Sequence, residues 1–407
     1  MPELKGIRSR NDAIAKRIQA MVARVEQARR KNLYHYNIPV QELRGGSRVL
    51  VRGREMGMYA SYSYLGLIGH PRINEAAKRA IDQYGTGTHG VRTLAGSLPV
   101  HVELEETIAR FKNTEAAIVY SSGYVTNLST IASLVGRGDY IISDKYNHAS
   151  IVDGCLLSGA KLLRFQHNDM DALERQLASV PDGGTKLVVA DAVFSMDGDI
   201  IDLPTTVELC KKYDAWLMID EAHSIGVLGE TGRGIEEHFG MDGVIDIKMG
   251  TLSKTIPSVG GYIAGKKELI DYLRHASRAY IFSAALPPAQ AAAAAEAFRV
   301  ILDEPWRVKK LTANAKQFIS GLKAAGFDTL HTQTAIVPVL CKTDEMAFAM
   351  TREAHERGVF VLPVVSPAVA PGLSRLRATV TAAHEPEEID KTIETLAECA
   401  RVLGLLS

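Results

Sequence analysis

Between residues 116 and 265 the chain alternates short apolar runs with helix-forming stretches, and no other feature narrows its fold as far. The runs read "AAIVYSSG", "DYIISD", "KLLRF", "KLVVADAVF", "AWLMIDEAH", "DIKMGTL" and "GGYIAG". Alternation of this kind predicts an α/β protein with a mainly parallel sheet covered by helices on both faces. Ligands in such sheets collect at the carboxyl ends of strands. The polar residues stand there: Ser121, Ser122, Asp144, Asp191, Asp220, Thr251 and Ser253.

The flanking segments read differently. "RVLVRGREMGMYASYSYLGLIGHP" is a short β element with a turn at Gly53, then an aromatic loop closed by Gly69, His70 and Pro71, and a helix follows from Arg72 to Gln83. The alanine-rich "PPAQAAAAAEAFRVIL" forms a helix leading to "AIVPVLC", a helix from Asp344 to Gly358, "VFVLPVV", the loop "SPAVAPGLS", "RLRATVTA" and a closing helix from Glu385. The expected division is an N-terminal basic helix and arm over 1–60, a large domain over 61–290 and a smaller α+β domain over 291–407.

Composition removes several function classes. With 46% hydrophobic and 23% charged residues the chain lies far from disorder, and 47 basic residues against 47 acidic ones leave no global field to recruit nucleic acid or membrane. A local patch exists: from Lys5 to Lys31 nine basic residues face two acids, with Ile14, Ile18, Met21, Val22 and Val25 along one helical face. This basic amphipathic helix packs on its own protein or a partner subunit, or docks an acidic macromolecule such as an acyl carrier protein; membrane contact ranks third. Cys155, Cys210, Cys341 and Cys399 are scattered without metal-ligand spacing and read as reduced core residues. No run approaches the about 20 apolar residues of a membrane span and the start has no apolar signal region, so a cytoplasmic protein is expected.

Asp220 ends an apolar strand, where an unpaired carboxylate is costly. Alone it reads as a residue capping the next turn. Lys254 stands at the same sheet edge and changes the reading. A plain ion pair is one account of the two; pyridoxal phosphate is a fuller one, because it needs a lysine for its aldehyde, a carboxylate for its pyridine nitrogen, a phosphate cup and a group on its ring face. "YSSGYVTN" offers Ser122, Gly123 and Tyr124 at a helix start for the phosphate, Thr251 and Ser253 add hydroxyls, and His148 in "DKYNHASI" can stack on the ring.

With those residues in place, the chain resembles the α-oxoamine synthases, the fold-type-I pyridoxal phosphate enzymes that include serine palmitoyltransferase, 5-aminolevulinate synthase, glycine C-acetyltransferase and 8-amino-7-oxononanoate synthase. The similarity runs from about Leu33 to the C-terminus through "YSYLGLIGHP", "GTGTHGVRTLAG", "HVELEE", "SSGYVTN", "DKYNHASI", "DEAHSIGVLG", "GTLSKT", "GGYIAG", "FSAALPP" and "RLRATVTAAHEP". It implies an aspartate aminotransferase-like fold. It also implies that Lys254 is the Schiff-base lysine, that Asp220 partners the pyridine nitrogen, that His148 covers the ring and that His223 bonds the phenolic oxygen. Ser195 lies near the cofactor in this pattern. Ser283 and Ala284 reach a neighbouring subunit's phosphate, which implies a homodimer with shared sites. Arg377 holds the amino-acid carboxylate through paired hydrogen bonds, with Ser63 and Arg92 also on the substrate side.

The implied reaction joins an amino acid (serine, glycine or alanine-like) to an acyl thioester, on CoA or a carrier protein, with loss of carbon dioxide, giving an α-amino ketone. Ser63 stands where relatives commonly carry asparagine, and Val91 precedes Arg92 where Ser, Thr or Pro is frequent. "SKTIPSVGGY" resembles the serine palmitoyltransferase branch, towards which the reading leans. Glycine C-acetyltransferase or 8-amino-7-oxononanoate synthase activity is the alternative. A non-catalytic partner subunit is disfavoured because Lys254, Asp220 and His148 are all present.

Overall fold

The computed structural model describes residues 12–406. Its centre is a seven-stranded sheet: β1 Ala116–Tyr120, β2 Tyr140–Asp144, β3 Lys161–Phe165, β4 Lys186–Asp191, β5 Trp216–Asp220, β6 Ile247–Ser253 and β7 Pro257–Gly265. In space the order is β1-β7-β6-β5-β4-β2-β3. Strands β2 to β6 pair in parallel, whereas β7 runs antiparallel to both β6 and β1. The reason is the linker. Only Lys254, Thr255 and Ile256 separate β6 from β7, and a parallel crossover needs a dozen residues or more. Lys254 therefore sits in a tight reversal at the sheet edge.

The strands are apolar on consecutive residues because both faces are covered. Val188 and Ala190 join one core with Ile219, Phe111 and Phe298, while Leu187 and Val189 point into a second core with Met218, Ile131 and Ile270. At one edge of the sheet, glycines permit a close approach: a Cβ on Gly261 would lie 2.7 Å from the Cα of Gly123, and one on Gly123 would lie 2.8 Å from Thr251 Oγ1. Bare backbone at both positions lets the helix Gly123–Leu134 seat its first turn directly on the sheet.

The C-terminal region carries a three-stranded antiparallel sheet, Ile336–Lys342, Ser374–Thr379 and Leu362–Val364, backed by the helices Asp344–Glu356 and Trp306–Ala324, with Pro386–Val402 packed against both helices. The hairpin Arg48–Val51 and Arg54–Met58 pairs in parallel with Val359–Phe360, so the chain's beginning packs with its end. The expected basic helix spans Ala13–Arg30, with Asp12 as its N-cap; Lys5, Arg8 and Arg10 of the patch lie outside the described residues. Among the described residues nothing covers its apolar stripe: Ile14, Ile18 and Met21 are exposed and only Ala15 is buried. Among the described residues no helix is long and apolar enough to cross a membrane, and no cluster of metal-ligating side chains occurs. All four cysteines are buried and free.

One clamp fixes the loops above the sheet. His167 bonds Asp144 at the end of β2 (3.1 Å) and Asp199 in the loop after β4 (2.9 Å), with its ring stacked on Tyr146 and edge-on to Phe194. Burial alone would lower its pKa, but hydrogen bonds to the two carboxylates and their charges outweigh it and push the group up to about 9. An imidazole held protonated in this way stabilises the fold fully below its unfolded value of 6.5 and loses that contribution as pH rises through about 9. The clamp is thus worth up to about 3 kcal/mol. The urea midpoint should fall between those two pH values in the wild type, and His167→Gln should be less stable at the lower pH with a flatter profile.

Candidate active site

The site is built on the carboxyl ends of β4, β5 and β6. Asp220 closes β5 and is buried. Its Oδ2 accepts from Asn127 Nδ2 (2.7 Å) and its Oδ1 from the Ala222 backbone N–H (2.8 Å). Asn127 lies one turn into the helix that the glycines seat on the sheet, and it also donates to Ser150 Oγ at 2.9 Å. These bonds aim a charged carboxylate at the site rather than leaving it to turn freely. Asp191 pairs in register with Asp220 on the neighbouring strand and accepts from the His148 backbone N–H at 3.0 Å. Burial, followed by the charge of Asp220, raises the Asp191 pKa well above the carboxylate range.

Lys254 faces this pair. Burial lowers its amine from 10.5 to about 8, Asp220 and Asp191 hold it up, and Arg377 pushes it down. A neutral fraction is therefore present near neutral pH, as a nucleophile or a base requires. Lys254 Nζ and Arg377 Cζ both stand over the Tyr62 ring, 5.8 and 4.8 Å from its centroid.

The two histidines differ. His148 caps the helix Ala149–Ser158, its Nδ1 accepting from the Ser150 N–H and bonding Ser150 Oγ at 2.7 Å, which fixes the ring plane. His223 is buried and its Nδ1 lies 2.6 Å from Tyr64 Oη. Burial, then Lys254, Arg377 and His148, lowers His223 well below its usual range, while burial pushes the Tyr64 phenol up to about 12. Tyr64 therefore keeps its proton and donates it to Nδ1, which leaves the other ring nitrogen of His223 as an N–H donor.

An anion cradle adjoins the lysine. Ser122 caps the helix Gly123–Leu134 by accepting from the Val125 N–H (3.2 Å). The N–H groups of Gly123 and Tyr124, in the first turn, have no intrahelical acceptor. Beside them stand Thr251 and Ser253, their hydroxyls 2.9 Å apart. A helix N-terminus with two added hydroxyls suits a phosphate.

Arg377 extends from the strand Ser374–Thr379. Its Nε donates to the Ser195 carbonyl (2.7 Å) and its Nη1 to Thr379 Oγ1 (3.1 Å), whereas Nη2 is buried without a partner. Ser195 thus contributes its backbone, holding the arginine. Two of the five guanidinium N–H groups therefore donate within the chain, and the second N–H of Nη1 and both of Nη2 are left for a ligand. A cleft of about 500 Å³ reaches Lys254 past Tyr62, Ser63, Ile68, Ile73, Pro257 and Ala293. The Ser63 hydroxyl, buried and unbonded, is part of that wall.

Other expected residues are elsewhere. The Tyr124 side chain points away to Asp153 and is exposed, so only its backbone serves the cradle. Arg92 forms a bidentate pair with Glu105 (2.9 and 3.2 Å) and faces Tyr280; its charge is engaged there, and it does not line the cleft. Ser283 and Ala284 run beside Val91 through an isolated bridge, next to the exposed Phe282. Asn127, Asp191, Tyr62 and Tyr64 carry no role that the sequence alone reveals. The signal for Asn127 was a lone amide one turn after a glycine helix start.

The arrangement fits pyridoxal phosphate: an oriented buried carboxylate, a lysine with a lowered pKa, a neutral N–H donor and an anion cradle converge. A family model described as aminotransferase class I and II matches residues 59–396. An 8-amino-7-oxononanoate synthase of Thermoanaerobacter pseudethanolicus is 43% identical over 384 residues, covering 94% of this chain and 97% of its own. A serine palmitoyltransferase of Sphingobacterium spiritivorum is 42% identical over 372 residues, covering 91% of this chain and 93% of its own. The solved structure of serine palmitoyltransferase from S. paucimobilis, with bound PLP and myriocin, superposes with a TM-score of 0.94 at 34% identity, covering 97% of this chain and all of that one.

Amine-selective labelling of Lys254 in the cofactor-free chain, followed by peptide mass spectrometry, should show a midpoint near pH 8, far below an ordinary lysine's 10.5. Asp220→Asn should lower that midpoint and Arg377→Gln should raise it.

Proposed function

This chain belongs to the class I and II aminotransferase family and, within it, to the α-oxoamine synthases, and from that premise we propose that it condenses a small α-amino acid with an acyl thioester on pyridoxal phosphate. The observation that carries the reading is the buried, unpartnered Nη2 of Arg377, held over the same tyrosine ring as Lys254. An unpaired guanidinium nitrogen in a buried site calls for an anion, and an amino-acid carboxylate beside a reactive lysine supplies one.

When bound, the cofactor supplies a protonated pyridine ring that takes up the electron pair left as a bond to the amino acid's Cα breaks. Lys254 would hold its aldehyde, Asp220 its pyridine nitrogen, His148 its face and His223 its phenolic oxygen. Gly123, Tyr124, Thr251 and Ser253 would hold its phosphate. Arg377 then binds and orients the substrate carboxylate. Lys254, neutral once displaced, takes the α-proton and later returns one to the same carbon. In the overall balance one carbon–carbon bond forms at the thioester carbonyl, the thiol and carbon dioxide leave, and one proton is consumed. Tyr62 and Tyr64 wall the carboxylate side, which supports a small amino acid such as serine, alanine or glycine.

For the acyl donor, the reading leans towards an uncharged chain, as in serine palmitoyltransferase. Apart from Lys254, the lining of the cleft is neutral, with Ile68, Ile73, Ala77, Pro257 and Ala293 as its apolar part. The second reading rests on the 8-amino-7-oxononanoate synthases among the relatives. The product in that name carries a carboxylate at the far end of its acyl chain, which would need a cation there. A homodimer sharing its sites through Ser283 and Ala284, and docking of an acyl carrier protein on the basic helix, belong to the same proposal. Residues 61–290 would then form the cofactor-binding domain and 291–407 the smaller one.

Borohydride should fix the cofactor covalently to the wild type and not to Lys254→Ala, while Arg377→Gln should raise the KM for the amino acid by about tenfold or more, given a charge-assisted bond of about 1.5–3 kcal/mol. Thiol release with palmitoyl-CoA, compared with the monothioester of a dicarboxylic acid, decides the donor. Turnover of the dicarboxylic thioester alone would remove the lean towards uncharged chains.

A further inference from the structure

A recess of about 450 Å³ opens where three distant parts of the chain meet. The segment after the first helix brings Tyr34 and His35, with Arg29 from the helix itself; the hairpin turn brings Arg52, and the helix Asp344–Glu356 brings Arg352 and Glu356. Arg52 and Arg352 do not line the cleft at Lys254, so the recess is separate from the chemistry above.

Its charge is unbalanced, three guanidiniums to one carboxylate among the lining residues. Arg29 lies 4.9 Å over the Tyr34 ring, Arg52 has no ion pair among the described residues, and Arg352 approaches no carboxylate closer than Glu353 at 3.9 Å. Arg52 also breaks a local rule. It occupies a left-handed position, φ 50°, followed by Gly53 at φ 72°, in a two-residue hairpin turn where asparagine or glycine is usual. A bulky cation held there is not what turn formation alone selects.

An independent observation comes from His35. Its side chain is buried, at 6% exposure, and neither ring nitrogen has a hydrogen-bond partner. Phe348 stacks against it at 6.3 Å and His355 meets it edge-on at 5.5 Å, but the His355 Nε2 already donates to the Val361 carbonyl. Buried polar atoms are nearly always bonded. A bare imidazole within a ring of arginines is explained by a ligand that accepts hydrogen bonds and carries negative charge.

We propose that this recess binds a phosphate group, gripped by Arg29, Arg52 and Arg352 and bonded by His35. Planar guanidinium forks match phosphate oxygens in geometry as well as charge. Burial, then the positive neighbours His355, Arg52 and Arg352, holds the imidazole down at about 4, so His35 is neutral at pH 7. The charged and titratable groups facing it are Arg29 and Tyr34 from its own segment, Arg52 from the hairpin, and Arg352, His355 and Glu356 from the helix. An oxyanion seated among them reverses the local field and draws a proton onto His35.

Calorimetric titration of the cofactor-loaded full chain with inorganic pyrophosphate tests this, because the loaded cofactor fills the other phosphate cradle. Saturable binding is expected, weakened about tenfold or more in Arg52→Gln and in Arg352→Gln. Proton uptake, read from the dependence of the heat on the buffer's ionisation enthalpy, is expected in the wild type and not in His35→Gln. Both arginines lie away from Lys254, so borohydride fixation of the cofactor should survive their replacement and report an intact fold. Displacement of pyrophosphate by coenzyme A assigns the phosphate to the thioester's own nucleotide, and lack of displacement assigns it to a separate phosphate ligand; either result keeps the site. Absence of pyrophosphate binding, or equal binding by the wild type and the doubly substituted chain, overturns it. The outcome does not depend on which acyl donor the enzyme uses.

Discussion

A carboxylate at the end of a strand packed on both faces cannot remain charged without partners, and most of the site follows from how Asp220 is provided with them. Asn127 reaches one oxygen only because its helix sits on bare glycine backbone at Gly123 and Gly261. Lys254 supplies the opposite charge only because a three-residue linker reverses the chain at the neighbouring strand. The same seating brings the helix N-terminus to Thr251. The carboxylate's amide partner and the helix N-terminus beside Thr251 are therefore two results of one packing arrangement, and the short linker adds the lysine to them.

Strands buried on both faces leave an unbroken apolar signature, which is why "LVVA" and "LMI" were legible as parallel strands and why Asp191 and Asp220 stood out at their ends. Lys254 is legible beside them as a cation at the same sheet edge as Asp220. The antiparallel turn of β7 was less so, because "GGYIAG" carries no mark of direction; the length of the linker decides it. Asn127 escaped assignment because an amide inside a helix looks the same in sequence whether it faces solvent or a buried carboxylate. Tyr62 and Tyr64 lay in what read as an aromatic loop, and only the fold places one over two cations and the other against His223.

Arg92 and Arg377 show the limit of reading arginines from motifs. Both sit in segments shared with the family, yet one is bound in both prongs to Glu105 and the other keeps a nitrogen free. Which carboxylate an arginine meets depends on a contact hundreds of residues away or on the next helix, and periodicity carries no trace of it. The exposed stripe of the first helix and the exposed Phe282 beside Ser283 are the converse case. Their apolar character is plain in the sequence, and none of the described residues covers them.

With Arg377 as the proposed partner of the substrate carboxylate, its division between scaffold and ligand bears on the energetics of carbon dioxide loss. Nε and Nη1 bind the Ser195 carbonyl and Thr379, and Arg375, two residues earlier on the same face of the strand, holds the next carbonyl and Asp197. A guanidinium offered whole would grip a carboxylate in its ground state, and that stabilisation would be lost as the group departs as a neutral gas, raising the barrier for the step. An arginine already committed to the protein orients the carboxylate while favouring it less. For a reaction that must discard the group it binds, a partial grip is the kinetically sound one.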